Sequence, residues 1–186
     1  MKVLVTGGAG FIGSHTVERL LAQGAEVGIL DNFNDYYAPD IKRHNISAVQ
    51  DRITLVEGDL RDPEVVERAF AEGKYDAVIH LAARAGVRPS IEQPELYIDT
   101  NIKGTFYLLE ACKRHGVKKF VFASSSSVYG VNKKVPFAEE DPILQTISLC
   151  DDQDGRRTDV LQLQHSVWHT LCVLALLHRL WPAPAS

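Results

Sequence analysis

A doubly wound parallel sheet, with helices on both of its faces, is expected from three features of this 186-residue chain. The apolar run Val3-Leu4-Val5 breaks into a glycine turn and resumes as a helix-periodic segment through Ile12, Val17, Leu20 and Leu21. Strand and helix patterns then alternate five times, the signature of βα units. The fourth run, Ala77-Val78-Ile79, is continuously apolar, as strands buried on both faces of a parallel sheet are. With 45% hydrophobic and 24% charged residues, the chain suits one globular domain with a proper core.

The first strand, loop and helix surround Thr6-Gly7-Gly8-Ala9-Gly10-Phe11-Ile12-Gly13-Ser14. A loop of this kind holds a pyrophosphate: Gly7 allows the sharp turn, Gly10 lets backbone approach the phosphates, and Gly13 lets the helix pack on the strand. The helix N-terminus then offers free N–H groups and a partial positive charge to the anion. A glycine pattern alone is weak, but here it has a strand before it, a helix after it and a second strand, Glu26 to Leu30, ending in Asp31. An acid there accepts hydrogen bonds from the adenosine ribose hydroxyls and repels a 2′-phosphate, which favours NAD over NADP.

Asn32 to Pro39 is a polar and aromatic loop expected to border the adenosine, followed by a helix around Ile41 to Val49. The third strand, Ile53 to Val56, runs into Glu57-Gly58-Asp59-Leu60-Arg61-Asp62. Asp62, with Pro63 next, is expected to cap the helix Glu64 to Ala71. Asp59 falls at the mouth where open α/β sheets bind ligands, in reach of an adenine amino group. The fourth strand, Asp76 to His80, feeds Leu81-Ala82-Ala83-Arg84-Ala85-Gly86-Val87-Arg88. Small residues there let backbone pass close to a nicotinamide ribose. Arg88 suits a carboxylate or phosphate as well as it suits a solvated surface. A long helix from about Asn101 to His115, with Leu108, Leu109 and Cys112 facing the sheet, ends at Gly116, and Lys118 to Ala123 forms the fifth strand. At its exit, Ser124 to Ser127 offer hydroxyls either as turn formers or as partners for a substrate hydroxyl.

The net charge of −4, with no basic stripe, argues against nucleic acid as a partner. Cys112, Cys150 and Cys172 lie far apart in no metal-ligand spacing, and with no signal peptide evident a reduced cytoplasmic setting without disulfides is expected. The longest apolar run, Leu171 to Leu177, is far short of the roughly 20 residues of a membrane span.

These motifs together resemble the extended short-chain dehydrogenase/reductases, whose dinucleotide domain is Rossmann-like, and within them the nucleotide-sugar epimerases. The run His80 to Arg88, with Asp31-Asn32-Phe33-Asn34-Asp35-Tyr36-Tyr37 and Ser124 to Gly130, looks most like UDP-glucuronate 4-epimerases over residues 1–148. The resemblance implies a tightly held NAD that oxidises the sugar C4 hydroxyl of a UDP-sugar; the 4-keto sugar then rotates and takes the hydride back on its other face. Carried over, it places the cofactor on Gly7, Gly10, Phe11, Ile12, Gly13, Asp31, Asn32, Asp59, Leu60, Leu81, Ala82, Ala83 and Asn101. Ser125 becomes the catalytic hydroxyl, and Arg88 and Ser126 contact substrate. It also implies a homodimer, through helices that include one replaced here.

Such an epimerase needs a tyrosine base with a lysine four residues on, starting near residue 150. Tyr129 is the last tyrosine of this chain and Lys134 the last lysine. Tyr129 and Lys133 share that spacing but directly follow the serine loop, before a helix can place both on one face. From Leu149 the texture changes to Cys150-Asp151-Asp152-Gln153-Asp154-Gly155-Arg156-Arg157 and then to a Leu, His and Trp-rich run. Shifted by one base into each codon, the Leu149/Cys150 junction can encode Tyr, and Gln153/Asp154 only Lys or Arg. Trp168-His169 and Trp181-Pro182 are each forced to Gly, and the end of the chain permits Tyr-Gly-Pro-Arg-Gln, a run of the resembled family. A shifted reading frame after Ser148 is therefore expected, with residues 149–186 a helical or disordered tail outside the domain 1–148. His165 and His169 have helical zinc-ligand spacing, but no Glu follows His165.

Two functions remain: a UDP-glucuronate 4-epimerase-like isomerase, or a non-catalytic NAD-binding fragment. A 4,6-dehydratase wants an acidic pair beside the serine loop, where Ser126 and Ser127 stand.

Overall fold

In this computed structural model the described residues are 1–124, Tyr129 and 134–141, with the side chains of Val87, Arg88 and Ile91 excepted. Five parallel strands form one sheet in the order β3-β2-β1-β4-β5: β1 Lys2–Thr6, β2 Glu26–Asp31, β3 Ile53–Glu57, β4 Ala77–His80 and β5 Lys119–Phe122. The order reverses direction between β1 and β4, which puts a crevice at the C-terminal ends of those strands, where such sheets bind ligands.

Strand side chains alternate between two cores because successive Cβ atoms point to opposite faces. Leu4, Leu30, Val56 and Val78 join Val66, Ala69 and Phe70 of α3 (Pro63–Gly73) and Leu108, Ala111 and Cys112 of α6 (Gly104–Arg114). Val3, Val5, Val27 and Ile29 pack on the other face with Val17 and Leu21 of α1 (Phe11–Ala22), Ile46 of α2 (Pro39–Ser47) and Val49. Helices thus cover both faces, which is why β1 and β2 read as continuous apolar runs.

Proline stands at the start of α2 and α3, where its missing N–H costs nothing. Asp62 caps α3 as expected, accepting from the N–H groups of Glu64 at 2.9 Å and Val65 at 3.4 Å. Gly116, at φ +70°, turns the chain out of α6 into β5.

Three details differ from expectation. Ile12 is 67% exposed, so α1 meets the sheet through Gly13, Val17 and Leu21 instead. The long helix does not start as a regular one at Asn101: a π-helical stretch, Ile98–Lys103, precedes α6, and Ala111 rather than Leu109 joins the fully buried face. Two short helices, α4 (Val87–Glu92) and α5 (Pro94–Tyr97), follow the small-residue loop with no sequence signal of their own. Each is too short to show a helical period.

The chain divides into two compact units: Met1–Ala83 with Lys103–Ala123, which holds the whole sheet, and the remainder, which begins with Arg84–Ile102. No helix among the described residues is long and apolar enough to cross a membrane.

Candidate functional site: a dinucleotide cradle

In the first unit the β1–α1 loop is pinned from three sides. Gly7 sits at φ +68°, the left-handed region that disfavours side chains, and its N–H donates to the Leu30 carbonyl at 2.8 Å. A Cβ on Gly7 would stand 2.8 Å from the Ala82 nitrogen, so the Leu81–Ala83 loop lies directly against the turn. Gly13 is tighter still: a Cβ there would come within 2.1 Å of the Gly7 carbonyl oxygen. At Gly10 a Cβ would meet the Gly7 oxygen at 3.2 Å and the Tyr37 hydroxyl at 3.5 Å. Gly10 caps α1 without a side-chain bond, and the first turn of α1 carries no acid. Phe11 and Ile12 stand exposed beside that positive end.

Asp31 ends β2. Its Oδ2 accepts from the Ala9 N–H at 3.2 Å, and its Oδ1 accepts from the Phe33 N–H at 2.9 Å and from Lys42 Nζ at 3.1 Å. Neither side chain of the ion pair is more than 8% exposed. Tyr37 lies over Lys42, with Nζ 5.5 Å from the ring centroid. Burial, then the Asp31 charge, raises the Tyr37 phenol above its ordinary value, against an opposing hydrogen bond from the Phe11 N–H.

Asn32 and Asp59 meet at the next strand ends, Asn32 Nδ2 donating to Asp59 Oδ2 at 2.9 Å. Burial pushes the Asp59 carboxyl up, but bonds from the Arg61 side chain and backbone and from Asn32 outweigh it and hold it down at about 2. Asp59 is therefore ionised at neutral pH, and an adenine amino group would share an acceptor that Arg61 already occupies. Leu60 is a core residue, packed where a Cβ on Gly104 would come within 2.9 Å of its own Cβ.

The Leu81–Ala83 loop is held by backbone and by a buried polar relay. The Leu81 N–H donates to the Thr6 carbonyl at 3.2 Å and the Ala82 N–H to Thr6 Oγ1 at 3.3 Å. Thr6 Oγ1 is also 2.6 Å from His80 Nδ1, and His80 Nε2 is 2.8 Å from Thr105 Oγ1. Burial drops the His80 pKa from 6.5 to about 3, so the ring is neutral, with one nitrogen donating and the other accepting. Phe120 and Phe122 of β5 flank it at 5.9 and 5.6 Å between centroids.

Gly7, Gly10, Phe11, Ile12, Gly13, Asp31, Asn32, Asp59, Leu60 and Leu81 to Ala83 thus belong to one unit, at or beside the C-terminal strand ends. Asn101 and Arg88 belong to the second unit. There Asn101 clamps the Arg84 backbone from both sides, accepting from its N–H at 2.8 Å and donating to its carbonyl at 3.0 Å. Tyr97 donates to the Ala85 carbonyl at 2.6 Å, which fixes the same loop. Arg88 lies in α4. Ser125 and Ser126 lie outside the described residues, as do Cys150 and Cys172. Cys112 is buried, and its thiol is pushed up to about 12, which leaves it inert.

Lys42 and the Thr6–His80–Thr105 relay are the site features that the sequence does not announce, whereas Tyr37 lies in the loop expected to border the adenosine. Lys42 sits on a polar helix with no periodic cue, and the relay joins residues 74 and 25 positions apart.

The crevice, the glycine turn and the acid at the end of β2 define a dinucleotide-binding α/β domain. The chain belongs to the family whose sequence model is described as GDP-mannose 4,6 dehydratase, which it matches over residues 4–147, within the extended short-chain dehydrogenase/reductases. Among curated relatives, it is 48% identical over 151 residues to UDP-glucuronate 4-epimerase 1 of Arabidopsis thaliana, covering 80% of this chain and 35% of that protein. It is 45% identical over 143 residues to UDP-glucose 4-epimerase of Bacillus subtilis (strain 168), covering 77% of this chain and 42% of the relative. Among solved structures, UDP-glucose 4-epimerase of Thermus thermophilus in complex with NAD superposes with TM-score 0.74 at 40% identity, over 96% of this chain and 52% of that one. The enzyme from Bifidobacterium longum with NAD+ and UDP gives 0.71 at 36%, over 93% and 49%. The chain thus spans from 35% to 52% of the length of these proteins.

Proposed function

We propose that this chain is the cofactor-binding part of an NAD-dependent UDP-sugar 4-epimerase, most similar to those acting on UDP-glucuronate, and that it binds NAD without epimerising a sugar. The observation that carries the first half is the 2.1 Å from a Cβ on Gly13 to the Gly7 oxygen: helix and turn meet where no side chain fits, the close packing that sets a helix N-terminus against a diphosphate in dinucleotide folds. The chain's residues fit the group. Backbone N–H groups at the start of α1 would take the diphosphate, Asp31 the adenosine ribose, and Asn32 and Asp59 the adenine edge. Leu81 to Ala83 would offer a close backbone path to the nicotinamide side, held in place by Thr6 and His80. NAD bound there supplies a reversible hydride acceptor for a sugar C4–H. Ser125 would bond the C4 hydroxyl, with Arg88 and Ser126 on the substrate side.

The second half rests on what must move the C4 proton. Near residue 150, where the resemblance expects the tyrosine base and the lysine four residues on, the sequence reads Leu149-Cys150-Asp151-Asp152-Gln153-Asp154, with neither residue type. Losing a general acid–base group costs about 10²–10⁴-fold in rate. The codon arithmetic at Leu149/Cys150 and Gln153/Asp154 supports a frame shift after Ser148 as the origin of that loss.

Incubating the purified chain with NAD and UDP-glucuronate tests both halves. Stoichiometric NAD binding with no detectable epimer is expected. Turnover near that of a full-length epimerase contradicts the non-catalytic half, and absence of NAD binding contradicts the first. At the locus, a Leu149 codon that does not end in A refutes the frame shift.

A further inference from the structure

The acid expected to choose NAD over NADP does not stand alone. Lys42 Nζ lies 3.1 Å from Asp31 Oδ1, with both side chains almost inaccessible, and the Tyr37 ring closes over the lysine. A lone carboxylate at the ribose 2′ position repels a phosphate there, whereas a buried lysine is the charge that would accept one. We propose that Lys42 is a second specificity determinant of the cradle: it offsets the Asp31 charge, so that preference for the unphosphorylated ribose hangs on the carboxylate alone, and removing that carboxylate converts the site to a 2′-phosphorylated dinucleotide. This rests on the proposed function only in taking the ligand to be a dinucleotide.

The geometry is specific to this pair. The other two donors to Asp31 are backbone N–H groups of Ala9 and Phe33, which persist in any variant and carry no net charge. Arg43, one residue on, bonds Glu57 at 3.0 Å and its guanidinium lies over the Phe33 ring, so it is engaged elsewhere. Arg61 is held by Asp59. Among the described residues Lys42 is therefore the cation that stays beside the 2′ position once Asp31 is neutral. Tyr37 adds a wall: its ring centroid lies 5.5 Å from Lys42 Nζ, and its hydroxyl stands 3.5 Å from where a Cβ on Gly10 would be.

The test is titration of the purified full chain with NAD and, separately, NADP by calorimetry, for the unmodified chain, Asp31→Asn, Lys42→Met and the double variant. A hydrogen bond to a charged group is worth about 1.5–3 kcal/mol, which is roughly 10- to 100-fold in affinity. Asp31→Asn is therefore expected to shift the NADP-to-NAD affinity ratio by at least about tenfold towards NADP, and most of that shift is expected to vanish in the Lys42→Met background. An equal shift with and without Lys42 overturns the proposal. Should Asp31→Asn fail to fold by circular dichroism, Lys42→Met alone decides: it is expected to sharpen discrimination against NADP, and an unchanged ratio overturns the proposal. An unmodified chain that binds neither dinucleotide overturns the cradle itself, a result distinct from either of these.

Discussion

The two ends of the sheet are built differently. Five of the six residues of β2 are buried, and Asp31 at its tip is held by two backbone N–H groups and a buried lysine. At the far end, β5 is the edge of the described sheet, its residues alternate between exposed and half-buried, and Val121 is 59% exposed. A strand with neighbours on both sides and helices on both faces shapes a site without help. An edge strand leaves its part of the site to whatever packs beyond it. The affinity of this chain for a dinucleotide should therefore reside in the adenosine half.

The largest expected effect is on stability against pH, and it separates the relay at β1 and β4 from the rest. His80 is held at about 3 against an ordinary 6.5, so between those values the unfolded chain binds a proton that the native chain does not. Stability rises with pH through that window and is lost as pH falls from 6.5 towards 3, by on the order of 4 kcal/mol from this group. Denaturant titrations at about pH 7, 5 and 4 should show the slope, and His80→Gln should flatten it. An unchanged slope would mean that the ring is not the buried neutral bridge between Thr6 and Thr105.

Next comes Gly13→Ala. The methyl has no rotamer to escape the Gly7 oxygen, so the turn must shift, at about 3 kcal/mol, the upper end of the usual overpacking range. Thermal unfolding measures the loss, and NAD affinity should fall with it. Gly24→Ala is the control for the crowding: nothing lies within 4 Å of a Cβ there, and only its positive φ opposes the change.

Smaller effects lie away from the ligand ends. Asp62→Ala removes the two bonds that start α3 and should cost about 1 kcal/mol in thermal stability. Tyr75→Phe should do the reverse. Among the described residues the buried Tyr75 hydroxyl has no hydrogen-bond partner, so removing it should stabilise by up to about 1 kcal/mol. A destabilised Tyr75→Phe would show that the hydroxyl has an undetected partner.

What the sequence made legible follows the same division. The glycine turn, the acid ending β2, the Asp62 cap and the Gly116 stop depend on neighbours in the chain, so local pattern suffices to find them. The alternation of Val3, Leu4 and Val5 between two cores follows from strand pleat and the doubly wound order. Lys42 and the Thr6–His80–Thr105 relay are tertiary meetings, and no periodicity encodes them. Short α4 and α5 escape a reading by pattern because four to six residues show no helical period. The Asn101 clamp on the Arg84 backbone is another tertiary meeting, because a side-chain amide matches a peptide's donor and acceptor 17 residues away without any periodic cue.

The most direct test of the adenosine-side account is a pair of calorimetric titrations of the intact chain, one with 5′-ADP and one with NAD. The account predicts that both bind one per chain and that ADP keeps the NAD affinity to within about tenfold, a difference of about 1.4 kcal/mol. Tight NAD binding with no detectable ADP binding would contradict it, because the affinity would then come from the nicotinamide side of the sheet.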